Sequence, residues 1–487
     1  MIRLTPAEIA RAAGAQLVTA QGEAGAEAPA RACVDSRAVA PGDLFFGLAG
    51  ERTDGGKFAA GAIADGAWGV VVTPAHVRAA VAAADPRGVH VLEAHDPLQA
   101  LAGLARAWLA ELRKDGARVV GITGSTGKTS TKDILSAMLG PPLGGLVHAN
   151  RENFNTEVGL PLTVLEADAG VRVLVLEMAM RGMGQIRELA QIAHPEVGVI
   201  TNVGPVHLEL VGTVERVAEA KAELIAELRG QHAACVVPAA EEALRPHLRS
   251  DVRTITFAPW GRAGLAAGSV DAVAGAAADV RALSVEDVEG HAHVEVAVGN
   301  ARARLELNFS QDHNVTNALA AIAAGHALGI EPAALAEGAR QVRFSGLRGE
   351  ELQLPDGVLI VNDCYNANPV SMRAAIDDLA ARADRRGARR MVAVLGDMRE
   401  LGPQAAHFHR EAGGLAADAG VSLLVAVGEH AGDYALGFGG DTHEVADAGE
   451  AAGLVPGLIE PGDIVLVKGS RGVGLERVTR ALEGVPS

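Results

Sequence analysis

Arg118-Val-Val-Gly-Ile-Thr-Gly-Ser-Thr-Gly-Lys-Thr-Ser130 runs from an apolar stretch through a glycine-rich turn into a helical pattern that continues to Leu139. Val119–Thr123 shows no alternation of apolar and polar residues, the pattern of a strand covered on both faces. Glycines in the turn let backbone N–H groups converge, and the helix that follows adds the positive end of its dipole. Strand, glycine turn and helix N-terminus in that order form a cradle for phosphate oxygens. Gly124, Ser125, Thr126, Gly127, Lys128, Thr129 and Ser130 are the candidate contacts. Lys128 would reach the β- and γ-phosphates of ATP, and the Thr129 hydroxyl would sit on Mg²⁺. The common form of this loop has a further glycine at position 122, where this chain has Ile122. The competing reading is a glycine-rich turn without a ligand.

Working outward, short apolar runs alternate with helical patterns along most of the 487 residues, the signature of α/β domains built on parallel sheets. At roughly 150 residues per domain, about three domains are expected. Strands are expected near 32–37, 44–48, 68–73 and 89–94. Asp96-Pro97 then opens a helix, with Asp96 as N-cap and an apolar face of Leu98, Leu101, Leu104, Trp108 and Leu112. Val171–Glu177 and Val197–Asn202 join Val119–Thr123 as buried strands. The Ala/Gly-rich stretch 261–308 carries alternating runs, His293–Val298 and Ala303–Leu307, that read as small antiparallel strands at the domain edge. Further strands at 357–363, 390–396, 421–427 and 463–468 define a Rossmann-like open sheet. The expected division is 1–96, 97–340 and 341–487.

Composition excludes several classes. Net charge is −17 and aromatics are 3%, poor material for wrapping or stacking on nucleic acid. No run of about 18 apolar residues marks a membrane-crossing helix. Thr5, Pro6 and Glu8 read as a capping box with proline in the first helical turn, not as a signal peptide. Cys33, Cys235 and Cys364 stand far apart, with no CxxC or Cys/His cluster. A cytoplasmic, monomeric protein is expected.

Three further residues suggest metal chemistry. Glu177 ends its strand at the carboxyl edge, where open α/β sheets bind ligands, and a carboxylate there suits magnesium. His207 follows the next strand in Thr201-Asn-Val-Gly-Pro-Val-His207, where a lone histidine is as readily structural. Lys221 completes the apolar stripe Val214, Val217, Leu224, Leu228 of one helix. A lysine on that face must snorkel, pair or lose its charge. A neutral amine can also take up CO₂ as an anionic carbamate.

Together these segments resemble the Mur ligase family of ATP-dependent amide-forming enzymes. The loop matches the family's Thr-Gly-x-x-Gly-Lys-Thr form, which accounts for Ile122. Asn153-Phe-Asn-Thr-Glu-Val-Gly-Leu-Pro161 is similar to its Asn-rich segment, and His313-Asn-Val-Thr-Asn-Ala-Leu-Ala-Ala321 to its adenine-contacting helix. Within the family, the branch that joins D-alanyl-D-alanine to a UDP-N-acetylmuramoyl tripeptide is most similar. The motifs are Val34-Asp-Ser-Arg-Ala-Val-Ala-Pro-Gly-Asp-Leu-Phe-Phe46, Asn362-Asp-Cys-Tyr-Asn-Ala-Asn-Pro-Val-Ser-Met372, Leu395-Gly-Asp-Met-Arg-Glu-Leu-Gly402 and Val467-Lys-Gly-Ser-Arg-Gly472. The Asp-Asn-Pro-Arg tetrapeptide usual in the diaminopimelate-adding branch is absent. Gly56, in Asp54-Gly-Gly-Lys-Phe58, stands where a histidine is common.

The resemblance implies a reaction through an acyl phosphate, with Lys128, Glu177, His207 and Lys221 as the catalytic set. Two Mg²⁺ ions are implied, one held by Thr129 and Glu177, the other by His207 and an N6-carboxylated Lys221. Asn317, Arg348, Asp363 and Tyr365 would hold the adenosine side. Asp35, Ser36 and Arg37 would hold the uridine diphosphate side. Asn153, Asn155, Thr156, Asn366, Asn368, Ser371, Lys468, Ser470 and Arg471 are substrate-side candidates. Three readings compete: another amide ligase of the family (third-residue-adding, or a folylpolyglutamate synthase), a P-loop ATPase switch, and a dinucleotide oxidoreductase. The last is suggested by Val467–Gly474, which lacks the Gly-x-Gly-x-x-Gly spacing.

Overall fold

The computed structural model describes residues 4–19, 28–50, 52–84, 88–151, 153–261 and 277–484. Residues 262–276 of the Ala/Gly-rich stretch lie outside them. Three sheets carry the chain. The first has β1 (Gln16–Thr19), β2 (Ala32–Cys33), β3 (Leu44–Phe46), β4 (Gly69–Val72) and β5 (His90–Glu93), in the order β1-β5-β4-β3-β2. It is parallel except for β1, which pairs antiparallel with β5. The strand expected at 32–37 is only two residues long, because the Asp35 side chain caps a 3₁₀ turn at Ser36–Ala38.

The second sheet holds β6 (Arg118–Thr123), β7 (Val147–Ala149), β8 (Val173–Glu177), β9 (Val197–Ile200), β10 (Ala234–Pro238) and β11 (Arg253–Phe257). It continues through β12 (Val280–Val288), β13 (His291–Val298) and β14 (Ala301–Leu307), in the order β14-β13-β12-β11-β10-β9-β6-β8-β7. β6 is flanked by β8 and β9 in parallel register, so the phosphate loop leaves the middle of the sheet. β12–β14 form an antiparallel meander at the edge. The third sheet, β15 (Glu350–Gln353), β16 (Leu359–Asn362), β17 (Met391–Gly396), β18 (Leu423–Val427), β19 (Thr442–Val445) and β20 (Ile464–Lys468), runs β15-β16-β20-β17-β18-β19. Only β15 is antiparallel to its neighbour.

The Pro97–Lys114 helix begins as its sequence dictates: the Asp96 carboxylate accepts from Leu98 N at 2.9 Å, with Pro97 in the first turn. Its apolar face packs into one continuous core that contains Leu44, Phe46 and Leu92 of the first sheet and Leu174 and Leu176 of the second. The Trp108 indole donates to Ala167 O at 3.0 Å, satisfying its polar atom in that core. The third sheet has separate cores on its two faces, around Met372 and Tyr434 on one and Ile360 and Val478 on the other. Among the described residues, no helix is long and apolar enough to cross a membrane.

Candidate active site

One cavity of 1870 Å³ lies between the second and third sheets. Its floor is the loop after β6. A Cβ on Gly124 would fall 1.8 Å from Thr201 Oγ1, and one on Gly127 (φ +75°) 2.3 Å from Asn317 Oδ1. Only glycine permits this approach. Thr126 N donates to Asn202 Oδ1 at 2.9 Å, Asn202 Nδ2 to Thr126 Oγ1 at 2.6 Å, and Ser125 Oγ to Gly204 O at 3.1 Å. The turn is thus held open as an anion cradle from below. Lys128 Nζ donates to Gly124 O at 2.8 Å and lines the cavity. Burial lowers its pKa, with Glu177 opposing and Arg348 adding to the shift.

Glu177, 2% exposed, accepts from Thr129 Oγ1 and from Asn155 Nδ2, each at 2.7 Å. Asn150 Oδ1 accepts the Glu177 backbone N–H at 2.5 Å, locking the end of β8. A hydroxyl and a carboxylate already in contact suit a hard, oxygen-seeking cation such as Mg²⁺. Among the described residues no three His, Cys, Asp or Glu side chains form a ready-made cage; magnesium uses few protein ligands.

Lys221 is 1% exposed in the Val214–Glu227 helix, with no hydrogen bond or ion pair to its amine among the described residues. Burial, and then Lys128 nearby, push its pKa well below the ordinary 10.5. Of snorkelling, pairing and loss of charge, the surroundings favour loss of charge. His207 lines the cavity with φ 54°, and its Nδ1 meets the Glu400 carboxylate, which arrives from the third sheet. The imidazole holds the Glu400 carboxyl below its usual range.

The roof comes from the third sheet. The Arg348 guanidinium lies 4.1 Å from the Tyr365 ring centre and Arg471 lies 5.9 Å from it, a cation–π arrangement. Lys468 Nζ donates to Asp363 Oδ2 at 2.5 Å and to Asn366 O at 3.0 Å. Asn368 and Ser371 form a capping box for the Pro369–Arg386 helix, and Ser470 Oγ accepts Arg399 N at 3.0 Å. These three therefore have structural duties as well as places on the cavity wall. Asn153, Thr156 and Ser130 also line it; Gly124 and Lys221 are not among its lining residues.

Asp35, Ser36 and Arg37 do not reach this cavity. They sit at the carboxyl end of β2, where the Arg37 guanidinium pairs with Asp35 at 2.7 Å and holds its carboxyl down at about 2. At Gly56 the room for a side chain is taken by His76. A Cβ at Gly56 would lie 2.3 Å from His76 Cδ2, and His76 Nε2 contacts Asp54 Oδ2 at 2.8 Å. Sequence reasoning missed Asn150, Asn202, His76 and Glu400. Asn202 and Glu400 stood inside quoted motifs, but their partners lie 76 and 193 residues away.

Two outcomes follow from this geometry. Lys221→Met should stabilise the ligand-free chain by about 1–3 kcal/mol near neutral pH, since it removes an unpaired buried amine. The folded-state pKa lies below 10.5, so the unfolded chain binds more protons between the two values. The native chain therefore gains stability with rising pH in that window, and the gap to Lys221→Met narrows. Urea unfolding from neutral pH to pH 10 in CO₂-free buffer measures this; a Met variant weaker than the native chain at neutral pH contradicts it. Gly56→His should cost roughly 1–3 kcal/mol by overpacking against His76. Adding His76→Ala should restore most of it, and equal thermal unfolding of the single and double variants would rule out the swap.

Family descriptions match three stretches: "Mur ligase family, catalytic domain" over residues 32–109, "Mur ligase middle domain" over 122–325 and "Mur ligase, glutamate ligase domain" over 347–471. A curated relative from Mycobacterium leprae, named UDP-N-acetylmuramoyl-tripeptide–D-alanyl-D-alanine ligase, is 38% identical over 99% of both chains. The solved MurF from Acinetobacter baumannii superposes with a TM-score of 0.83 at 26% identity, covering 99% of this chain and 98% of that one. The MurF ligase from Thermotoga maritima in complex with ADP does so with a TM-score of 0.76 at 28% identity, covering 93% and 97%. The chain belongs to the Mur ligase family.

Proposed function

We propose that this chain is an ATP-dependent ligase that joins D-alanyl-D-alanine to UDP-N-acetylmuramoyl tripeptide, giving the pentapeptide precursor of peptidoglycan. The observation that carries this reading is the likeness over 99% of both chains to a ligase of that name. The large cavity adds chemical support, since it gathers a phosphate loop, a buried acid and a cationic roof in one place. The chain would work as a monomer in the cytoplasm.

A carboxylate is a poor electrophile. The tripeptide carboxylate takes the γ-phosphoryl group of ATP, releasing ADP and forming an acyl phosphate. The dipeptide amine then attacks the carbonyl carbon through a tetrahedral intermediate, losing a proton, and phosphate leaves. Catalysis of this kind is mostly positioning and charge neutralisation. Carboxylate and phosphate approaching within about 4 Å repel by ~4 kcal/mol at an effective dielectric of about 20, roughly three decades in rate. Two Mg²⁺ ions, when bound, neutralise that repulsion. Thr129 and Glu177 would hold one, and His207 with N6-carboxylated Lys221 the other; carboxylation turns a disfavoured buried cation into an anion facing Lys128.

Asn317, Arg348, Asp363 and Tyr365 would hold the adenosine side, and Gly124–Ser130 the phosphates. Asp35, Ser36 and Arg37 would hold the uridine diphosphate on the first sheet. Asn153, Asn155 and Thr156 would face the tripeptide. Asn366, Asn368, Ser371, Lys468, Ser470 and Arg471 would face nucleotide and dipeptide. Closure of the third sheet over the loop would exclude water from the acyl phosphate.

Phosphate release should require both the UDP-linked tripeptide and D-alanyl-D-alanine. Equal release with either one omitted would overturn the ligase reading in favour of an ATPase. Lys221→Ala should lose at least two decades of kcat and regain part of it with short carboxylic acids; no regain would argue against the carbamate.

A further inference from the structure

The contact between His207 and Glu400 joins two domains at the reaction centre. His207 leaves β9 on the central sheet, while Glu400 stands on the loop after β17 of the third sheet. Both have left-handed backbones without being glycine, at φ 54° and φ 64°. Such conformations persist where the surroundings over-determine them. Here the surroundings supply three hydrogen bonds: Glu209 N donates to Glu400 O at 3.2 Å, Met398 N to His409 Nε2 at 2.8 Å, and Arg399 N to Ser470 Oγ at 3.0 Å. Arg181 Nε stands 3.7 Å from the other Glu400 oxygen. The loop is thus fastened at the two residues before Glu400 and at its own carbonyl, and aims its carboxylate at one ring nitrogen.

A carboxylate accepts only, so His207 Nδ1 donates to Glu400, and Nε2 is the ring nitrogen left over for a metal ion. That is the arrangement in which a metal-binding histidine is usually held, with the far nitrogen fixed by a carboxylate. Here the carboxylate comes from a different domain. It reaches His207 only while the third sheet sits close enough for Gly204 to pack on Val370 and for Arg385 to pair with Asp287 at 2.8 Å.

We propose that Glu400 is a positioning residue that orients His207 for a divalent cation, so that the second cation site is completed only when the third domain closes. The proposal rests on the reading of His207 as a cation ligand. Closure and metal binding then favour each other, and an open chain with the tripeptide carboxylate exposed lacks the complete charge-neutralising centre.

Mn²⁺ titration of the full chain saturated with a non-hydrolysable ATP analogue, followed by electron paramagnetic resonance, tests this. The native chain should bind two Mn²⁺. Glu400→Ala should weaken the second by roughly ten- to a hundredfold while leaving the first unchanged. Glu400→Gln, of equal volume, should recover part of the loss. His207→Ala should abolish the second site, and adding Glu400→Ala to it should change nothing more. Small-angle scattering should show that Mn²⁺ compacts the native chain but not Glu400→Ala. Should Glu400→Ala fail to fold, Glu400→Gln carries the measurement with a smaller expected loss. A Glu400 variant that melts earlier yet binds the second Mn²⁺ with native affinity, while His207→Ala loses it, overturns the proposal alone. If His207→Ala also keeps two sites, the ligand reading of His207 falls with it.

Discussion

The site depends on one close approach. The turn after β6 is pressed so tightly between Thr201 and Asn317 that a single Cβ at Gly124 or Gly127 would overlap an oxygen. That contact places backbone N–H groups and the start of the Lys128–Leu139 helix at the carboxyl edge of the central sheet. It also sets Thr129 against Glu177 and brings the Lys128 charge to bear on Lys221. Loosening it would displace phosphate cradle, cation pair and unusual lysine together.

The three sheets are joined in two physically different ways. The first and second share one apolar core through the Pro97–Lys114 helix, so separating them would expose Leu101, Trp108 and their neighbours. Each such side chain contributes roughly 1.5–3 kcal/mol when buried. The third sheet keeps its main cores to itself and meets the central one largely through polar contacts: Glu400 on His207, Arg385 on Asp287 and Ser345 on Asp133. Polar, partly exposed contacts exchange with water at small net cost. The cleft that must admit and then enclose substrates lies along this second, exchangeable boundary.

Legibility followed locality. The Asp96 cap, the buried strands β6, β8 and β9 and the strands β13 and β14 of the meander were all readable, because capping and burial leave patterns within a few residues. The edge strands β1, β15 and β19 were not: they are short and half-exposed, so no apolar run marks them. β7, β10, β11 and β12 also escaped. β7 is three half-buried residues, and a brief apolar run such as Ala234–Pro238 reads equally as part of a helix. In the site, Thr129 meets Glu177 and Asn317 stands beside Gly127, whereas Asp35, Ser36 and Arg37 lie apart from the main cavity on their own sheet edge.

By itself the sequence determined the α/β class, the phosphate loop and the anomalous place of Lys221, because each is written in residues close along the chain. Only the tertiary structure decided that Lys221 is buried with no partner among the described residues, that His76 fills the room left at Gly56, and that Glu400 crosses between domains to His207. The reason is physical: burial, close packing and ion pairing depend on which surfaces meet, and residues 193 positions apart carry no periodicity that foretells their meeting.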